Sequence, residues 1–366
     1  MAPLSEDGGI LSISEKLNPQ FDDSRFKEST NGVDQEAIQK EKDQKIADLT
    51  STKGLFKVLT ANKWIEQAKA RPIPKMLFGE LWFENELCIL FSDTNLGKSI
   101  LAVQIGDSIS RGKNIPGFKL EAKKQPILYF DFELSDKQFE NRYSIDFERH
   151  YIFDDNFRRV EINPETEIPE SGSFEDFLTL SLEQCIKETD AKILIIDNLT
   201  YLKAETEKAK DALPLMKHLK ALKSKYGLSI LALAHTPKRD MSKPITRNDL
   251  QGSKMLINFC DSSFSIGESH SDTNLRYLKQ IKARNTEIIY DADNVAVCQV
   301  HKPDNFLQIE FMDFGTERDH LKVFTEKDRE SNIANAKELS KKGKSQRDIS
   351  KELGISLGAV NKYLKS

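Results

Sequence analysis

Apolar residues in this chain come in short runs separated by amphipathic stretches. The segments 86–92, 126–132, 158–162, 192–197 and 228–235 read as strands, several of them apolar throughout. Between them, residues near 98–111, 135–146, 174–188 and 208–226 place apolar side chains at helical spacing. Strand and helix in alternation predict an α/β fold around a mainly parallel sheet. After residue 260 the pattern changes. Segments 262–267, 275–284, 295–301 and 306–313 read as successive strands, with turns at Ser271-Asp-Thr-Asn, Asp291-Ala-Asp-Asn and Lys302-Pro-Asp-Asn. They predict antiparallel strands that extend one edge of the sheet.

The flanks differ from this core. Residues 1 to about 50 are polar, acidic on balance and without sustained periodicity, so disorder is expected, with a short helix within Gln35–Leu49 on binding. Residues 55–85 carry Trp64, Pro72, Pro74, Leu77, Phe78, Leu81 and Trp82 and read as an ordered lead-in packed on the core. The domain at 51–315, which includes this lead-in, is followed by a charged linker at 316–330 and a small helical unit at 331–366. No apolar run is long enough to span a bilayer and no signal peptide opens the chain, which predicts a cytoplasmic protein. The four cysteines are scattered, without a zinc-type spacing, and fit a reducing compartment. A net charge of −4 does not advertise nucleic-acid binding, so local patches carry that question.

One stretch carries most of the chemistry. Ser92, Asp93, Thr94, Asn95, Leu96, Gly97, Lys98 and Ser99 follow the apolar run Leu87–Phe91 and lead through Ile100 into a predicted helix. Strand, tight loop, Gly-Lys-Ser and helix is the layout of a P-loop. Its backbone N–H groups and helix N-terminus cradle nucleotide phosphates. The Lys reaches the β- and γ-phosphates and the Ser hydroxyl ligates Mg2+. Residues 92–100 are therefore the expected ATP-binding segment. Position 92 is Ser where the pattern opens with Gly, a substitution that works if its φ stays negative.

Three later segments offer partners. Ile193-Leu-Ile-Ile-Asp197 is a buried strand ending in an acid, and Asp197 with Ser99 is the expected metal pair. Ile127-Leu-Tyr-Phe-Asp-Phe-Glu133 places Glu133 just past a strand end, where a carboxylate can polarise water; Asp131 is the local rival. Leu228–His235 ends in a His that can contact the γ-phosphate or simply close a strand. The late strand ends in Lys282-Ala-Arg284, two cations on one face, suited to a triphosphate or to solvent.

In this order the features resemble the RecA-like core of hexameric replicative helicases, the RepA/DnaB group, over roughly residues 75–315. The resemblance implies an ATPase that forms homo-oligomeric rings, hexamers in that group, and holds single-stranded DNA in its channel. It implies that Lys98 and Glu133 are catalytic, that His235 senses phosphate, and that Lys282 and Arg284 act in trans. Arg247–Lys254 resembles the Gly-Ser segment near that channel.

The last residues carry a second pattern. Ser331–Lys342 reads as a helix closed by Gly343, Ser345 and Asp348 form a capping pattern, Gly354 stops the second helix, and Ser356 caps the third. With Ile349, Leu353, Ile355, Val360 and Leu364 inward, the unit resembles the resolvase and sigma-like helix-turn-helix families. The resemblance implies duplex DNA contacts at Arg347, Ser356, Leu357, Asn361 and Lys362. A small protein-interaction cap is the other reading. Two functions stay open at this point: a DNA motor of a plasmid or mobile element, and an ATP-gated DNA-binding regulator that does not unwind DNA.

Overall fold

The computed structural model describes residues 56–163, 165–166, 174–201, 212–237, 239–250, 253–323, 326–353, 355 and 357–365. The expectations for residues 1 to about 50, for Gly354 and for Ser356 lie outside these residues. The chain divides into two compact units, Met1–Pro72 and Ile73–Ser366. In the first, Thr60 caps a helix, α1 (Ala61–Lys69), that buries none of its residues. Of the expected lead-in, Trp64 belongs to this unit and is exposed, while Leu77, Phe78, Leu81 and Trp82 belong to the second unit and are buried in its core.

In the second unit a small hairpin, β1 (Met76–Phe78) and β2 (Trp82–Phe83), precedes β3 (Leu87–Ser92) and α2 (Lys98–Arg111). Then follow β4 (Ile127–Asp131), α3 (Asp136–Arg142), a second hairpin β5 (Ser144–Ile145) and β6 (Arg149–His150), and β7 (Phe157–Val160). Next come α4 (Phe174–Thr189), β8 (Ile193–Asp197), α5 (Ala212–Tyr226), β9 (Ser229–His235) and α6 (Ser253–Phe259). The strands β10 (Ser262–Glu268), β11 (Leu275–Lys282), β12 (Val295–His301) and β13 (Gln308–Gly315) complete the sheet.

Among the described residues the main sheet has nine strands in the order β13-β12-β11-β10-β3-β9-β8-β4-β7. From β10 to β7 neighbours are parallel. From β10 to β13 they are antiparallel. This is the α/β layout expected of a RecA-like core, with one correction. The sequence pattern places strand 262–267 in the antiparallel extension, yet β10 pairs parallel with β3 and closes the parallel part.

Alternate residues of the strands feed two cores. Cys88 and Leu90 pack with Leu101, Val103, Ile105 and Ile109 of α2. Leu87, Ile89 and Phe91 pack with Leu182 and Ile186 of α4 and Met216, Leu219 and Leu222 of α5. Burial on both faces explains why β3 reads as an unbroken apolar run. α2 lies close because Gly106 has no Cβ; one built there would sit 2.7 Å from the Phe157 ring.

The helix expected over 135–146 ends at Arg142. Tyr143 turns inward against Phe139, Phe153 and Phe306, and the small β5–β6 hairpin follows. The expected linker is also corrected at both ends. Glu317 and His320 are buried in a short 3-10 helix, and α7 begins at Glu326. Glu317 pairs with Lys279 and accepts from the Ile245 N–H at 2.6 Å, so its charge serves a buried contact rather than solvation.

The chain ends in three helices, α7 (Glu326–Lys341), α8 (Gln346–Leu353) and α9 (Leu357–Lys365). They enclose a core of their own, Ala336, Ile349, Ile355 and Val360, flanked by Leu339, Leu353 and Leu364. Ser345 caps α8, accepting from Asp348 N at 3.2 Å and donating to its carboxylate at 2.6 Å. Among the described residues no helix is long and apolar enough to cross a membrane.

Candidate active site

The site lies at the C-terminal end of β3. β3 continues to α2 and then to β4, which is separated from β3 by β9 and β8. A crevice at such a point, where neighbouring connections leave in different directions, is where open α/β sheets bind ligands. The loop turns through left-handed conformations at Asn95 (φ 62°) and Gly97 (φ 97°). Ser92 is the buried last residue of β3, outside those left-handed positions, so no glycine is required there. Asp93, Thr94 and Asn95 face solvent wholly or in part, Leu96 is buried, and Ser99 and Ile100 are half-buried at the start of α2.

Lys98 is folded into this loop. Its Nζ donates to the carbonyl oxygens of Ser92 at 3.2 Å and Asp93 at 3.0 Å, and to Ser92 Oγ at 3.3 Å. It also meets His235 Nδ1 at 3.3 Å. Burial lowers the Lys98 pKa, while the carboxylates of Asp197, Glu133 and Asp93 oppose that shift. The ammonium thus sits among acceptors that phosphate oxygens can replace.

His235 bridges the lysine and the acid: Nδ1 faces Lys98 Nζ, and Nε2 faces Glu133 and the Asn198 amide nitrogen, the latter at 3.1 Å. Nε2 lies 3.4 Å from Glu133 Oε1. The Asn198 amide converges on the same oxygen. Its orientation is set because Asn198 Oδ1 accepts from Thr200 N at 2.8 Å. The hydrogen bond from His235 is the main cause that holds the Glu133 carboxyl below its usual range, against partial burial. Glu133 is therefore an ionised acceptor pointed at the phosphate-binding loop.

Asp197 is fully buried on the adjoining strand. Tyr129 donates to its Oδ2 at 2.8 Å, whereas Oδ1 has no hydrogen-bond partner among the described residues. Burial pushes its carboxyl up to about 6, against the hydroxyls of Ser99 and Tyr129. An orphaned buried carboxylate oxygen near a P-loop serine fits a hard cation that keeps most of its ligands from water and phosphate.

Asp131, the rival of Glu133, is occupied elsewhere. Its Oδ1 accepts from Glu133 N at 3.2 Å and Leu134 N at 3.0 Å, and its Oδ2 from Arg159 Nε at 2.9 Å. Lys282 and Arg284 do not join the site of their own chain. Lys282 pairs in register with Ser263, and Ser263 with Ile89 in the first half of β3. At ~3.3 Å per residue, Arg284 lies roughly 17 Å along the strand direction from the start of the loop. There Lys282 donates to the carbonyls of Ile257 and Cys260, and Arg284 pairs with Asp261 at 3.0 Å.

Sequence reading missed Tyr129, Asn198 and Arg159. Tyr129 sits two residues before Asp131, on the same face of β4, and Asn198 follows Asp197, so both carried a faint positional signal. Arg159 carried none.

The fold and this constellation define a P-loop ATPase. The chain belongs to the AAA-domain family, whose model matches residues 56–241. Among solved structures, a KaiC-like protein of the hyperthermophilic archaeon Pyrococcus horikoshii OT3 is similar at 14% identity. The match covers 62% of this chain and 90% of that chain with a TM-score of 0.42. No curated protein matches the chain.

Proposed function

We propose that this ATPase is a ring-forming motor acting on DNA, in kind the replicative helicase of a plasmid or mobile element. The observation that supports it best is the separation of Lys282 and Arg284 from their own loop. A Lys-x-Arg pair at that end of the sheet can reach a nucleotide only on a neighbouring copy. In this reading Lys98 exchanges its loop carbonyls for the β- and γ-phosphates, and Glu133 takes the proton of the attacking water. His235 links the two groups. The residues fit Mg2+ held by Ser99 and Asp197; when bound, the ion neutralises charge on the β- and γ-oxygens.

The C-terminal unit is the duplex tether in this proposal. Arg347, Asn361 and Lys362 are exposed, Leu357 is 45% exposed, and Asn361, Lys362 and Lys365 line one shallow concavity of α9. Alanine at both Asn361 and Lys362 weakens duplex binding by about 1–3 kcal/mol for each side chain that reaches a base edge. Deleting residues 326–366 removes tight duplex binding and spares basal ATP hydrolysis. Duplex titrations at two salt concentrations check this, since the surrounding cations make binding fall steeply with salt. Full duplex affinity in the truncated chain assigns the helices to protein contacts instead.

ATP turnover with and without single-stranded DNA, together with native mass in an ATP analogue, tests the motor itself. Stimulated turnover in a closed oligomer supports it. Slow turnover that ignores single strands, with tight sequence-specific duplex binding, makes the chain an ATP-gated regulator.

A further inference from the structure

Arg159 comes from β7, the edge strand beside β4, with Tyr129 as its register partner. Its side chain is only 17% exposed although it carries a charge. The guanidinium uses all three of its nitrogens on one turn, with Glu161 sharing one of them. Nε donates to Asp131 Oδ2 at 2.9 Å, Nη2 to the Leu134 carbonyl at 2.8 Å, and Nη1 to Asp136 Oδ1 at 2.8 Å. Glu161 also pairs with Nη1, and the guanidinium lies 4.7 Å from the centre of the Phe139 ring. The turn so held runs from the end of β4 to the start of α3 and contains Glu133. Asp131 passes the constraint on, because its other oxygen accepts the N–H groups of Glu133 and Leu134.

We infer that Arg159 is a positioning residue for ATP hydrolysis: it clamps the Asp131–Asp136 turn so that the Glu133 carboxylate stays aimed at the P-loop. The inference rests on the assignment of Glu133 as the base. The Arg159 guanidinium is occupied by this turn and by Glu161, and among the described residues none of its hydrogen bonds reaches the loop 92–99, so nucleotide binding and base orientation are separable. Lysine gathers its donors on a single nitrogen and does not reproduce the planar fork that spans Asp131, Leu134 and Asp136.

The test uses the full chain carrying Arg159→Lys, Arg159→Met, Glu133→Gln, and each Arg159 change combined with Glu133→Gln. ATP turnover and the dissociation constant of a fluorescent ATP analogue are measured for all. Arg159→Met lowers kcat by about 10- to 100-fold, the scale of a slightly misplaced catalytic group, with analogue affinity within a few-fold of wild type. Arg159→Lys loses less. In the Glu133→Gln background neither change lowers turnover further, because the group being aimed is already gone. A general structural role moves affinity as well, or adds its loss to that of Glu133→Gln, and either result overturns the inference. Wild-type kcat in both Arg159 variants also overturns it. If Arg159→Met does not fold, Arg159→Lys alone carries the same comparison. An undiminished Glu133→Gln refutes the assignment of the base itself, a result readable without the Arg159 variants.

Discussion

Glu133→Gln keeps ATP binding and lowers hydrolysis by about 100-fold or more, the range for loss of a general base. The glutamine is nearly isosteric and can still accept at its oxygen from the Asn198 amide, so the site keeps its shape. What it loses is the ability to take a proton from water. Asp131→Asn is the sharper control. Asparagine can still accept the N–H groups of Glu133 and Leu134 at Oδ1, while its amide nitrogen takes the place of the oxygen that accepts from Arg159 Nε, so that one contact is lost. Its loss is therefore the smaller of the two. Turnover and analogue binding, measured side by side, decide the matter. Near-normal hydrolysis in Glu133→Gln with a deep loss in Asp131→Asn reverses the roles assigned to the two acids.

Arg284→Ala lowers hydrolysis by about 10³-fold or more without preventing ATP binding, as expected for loss of an arginine finger. The change leaves the local fold intact. Asp261, the acid that Arg284 meets, still accepts from Leu87 N at 3.0 Å and from Lys223 Nζ at 2.7 Å. The Arg284 side chain is 49% exposed, and such pairs contribute about 0–1 kcal/mol. Mixing makes the trans claim specific. Arg284→Ala subunits retain Glu133, and Glu133→Gln subunits retain Arg284, so one kind of interface in a mixed ring has both groups. Activity returns in that mixture although neither parent has it. Mixed oligomers, verified by native mass, that stay inactive assign Arg284 a structural role.

The chemistry of single segments was open to reading from the chain. A P-loop is a local object: strand, left-handed turn and helix start lie within about a dozen residues, and the residue types needed for each stand in order from Leu87 to Ile100. Asp197 and His235 were legible for the same reason, as polar residues that end buried apolar runs. The three C-terminal helices were legible from their caps and apolar spacing. Glu133 was found from its place beyond a strand end, but the choice between it and Asp131 was not available there. That choice depends on Arg159, which lies 28 residues further on and reaches Asp131 only because β7 pairs with β4.

The sequence by itself determined the alternation of strand and helix, the loop that receives phosphate, and the acids and histidine that end neighbouring strands. Each is encoded by residues close together along the chain, where backbone geometry and burial leave a periodic trace. Only the tertiary structure decided the rest. It set the order of the strands and the parallel pairing of β10 with β3. It fixed the use of Asp131 as a hydrogen-bond acceptor for its own turn, the burial of Glu317 against Lys279, and the distance of Arg284 from its own nucleotide loop. Those facts depend on which strand lies beside which. An apolar run states that a strand is covered on both faces, but two such runs look alike whichever neighbour they take.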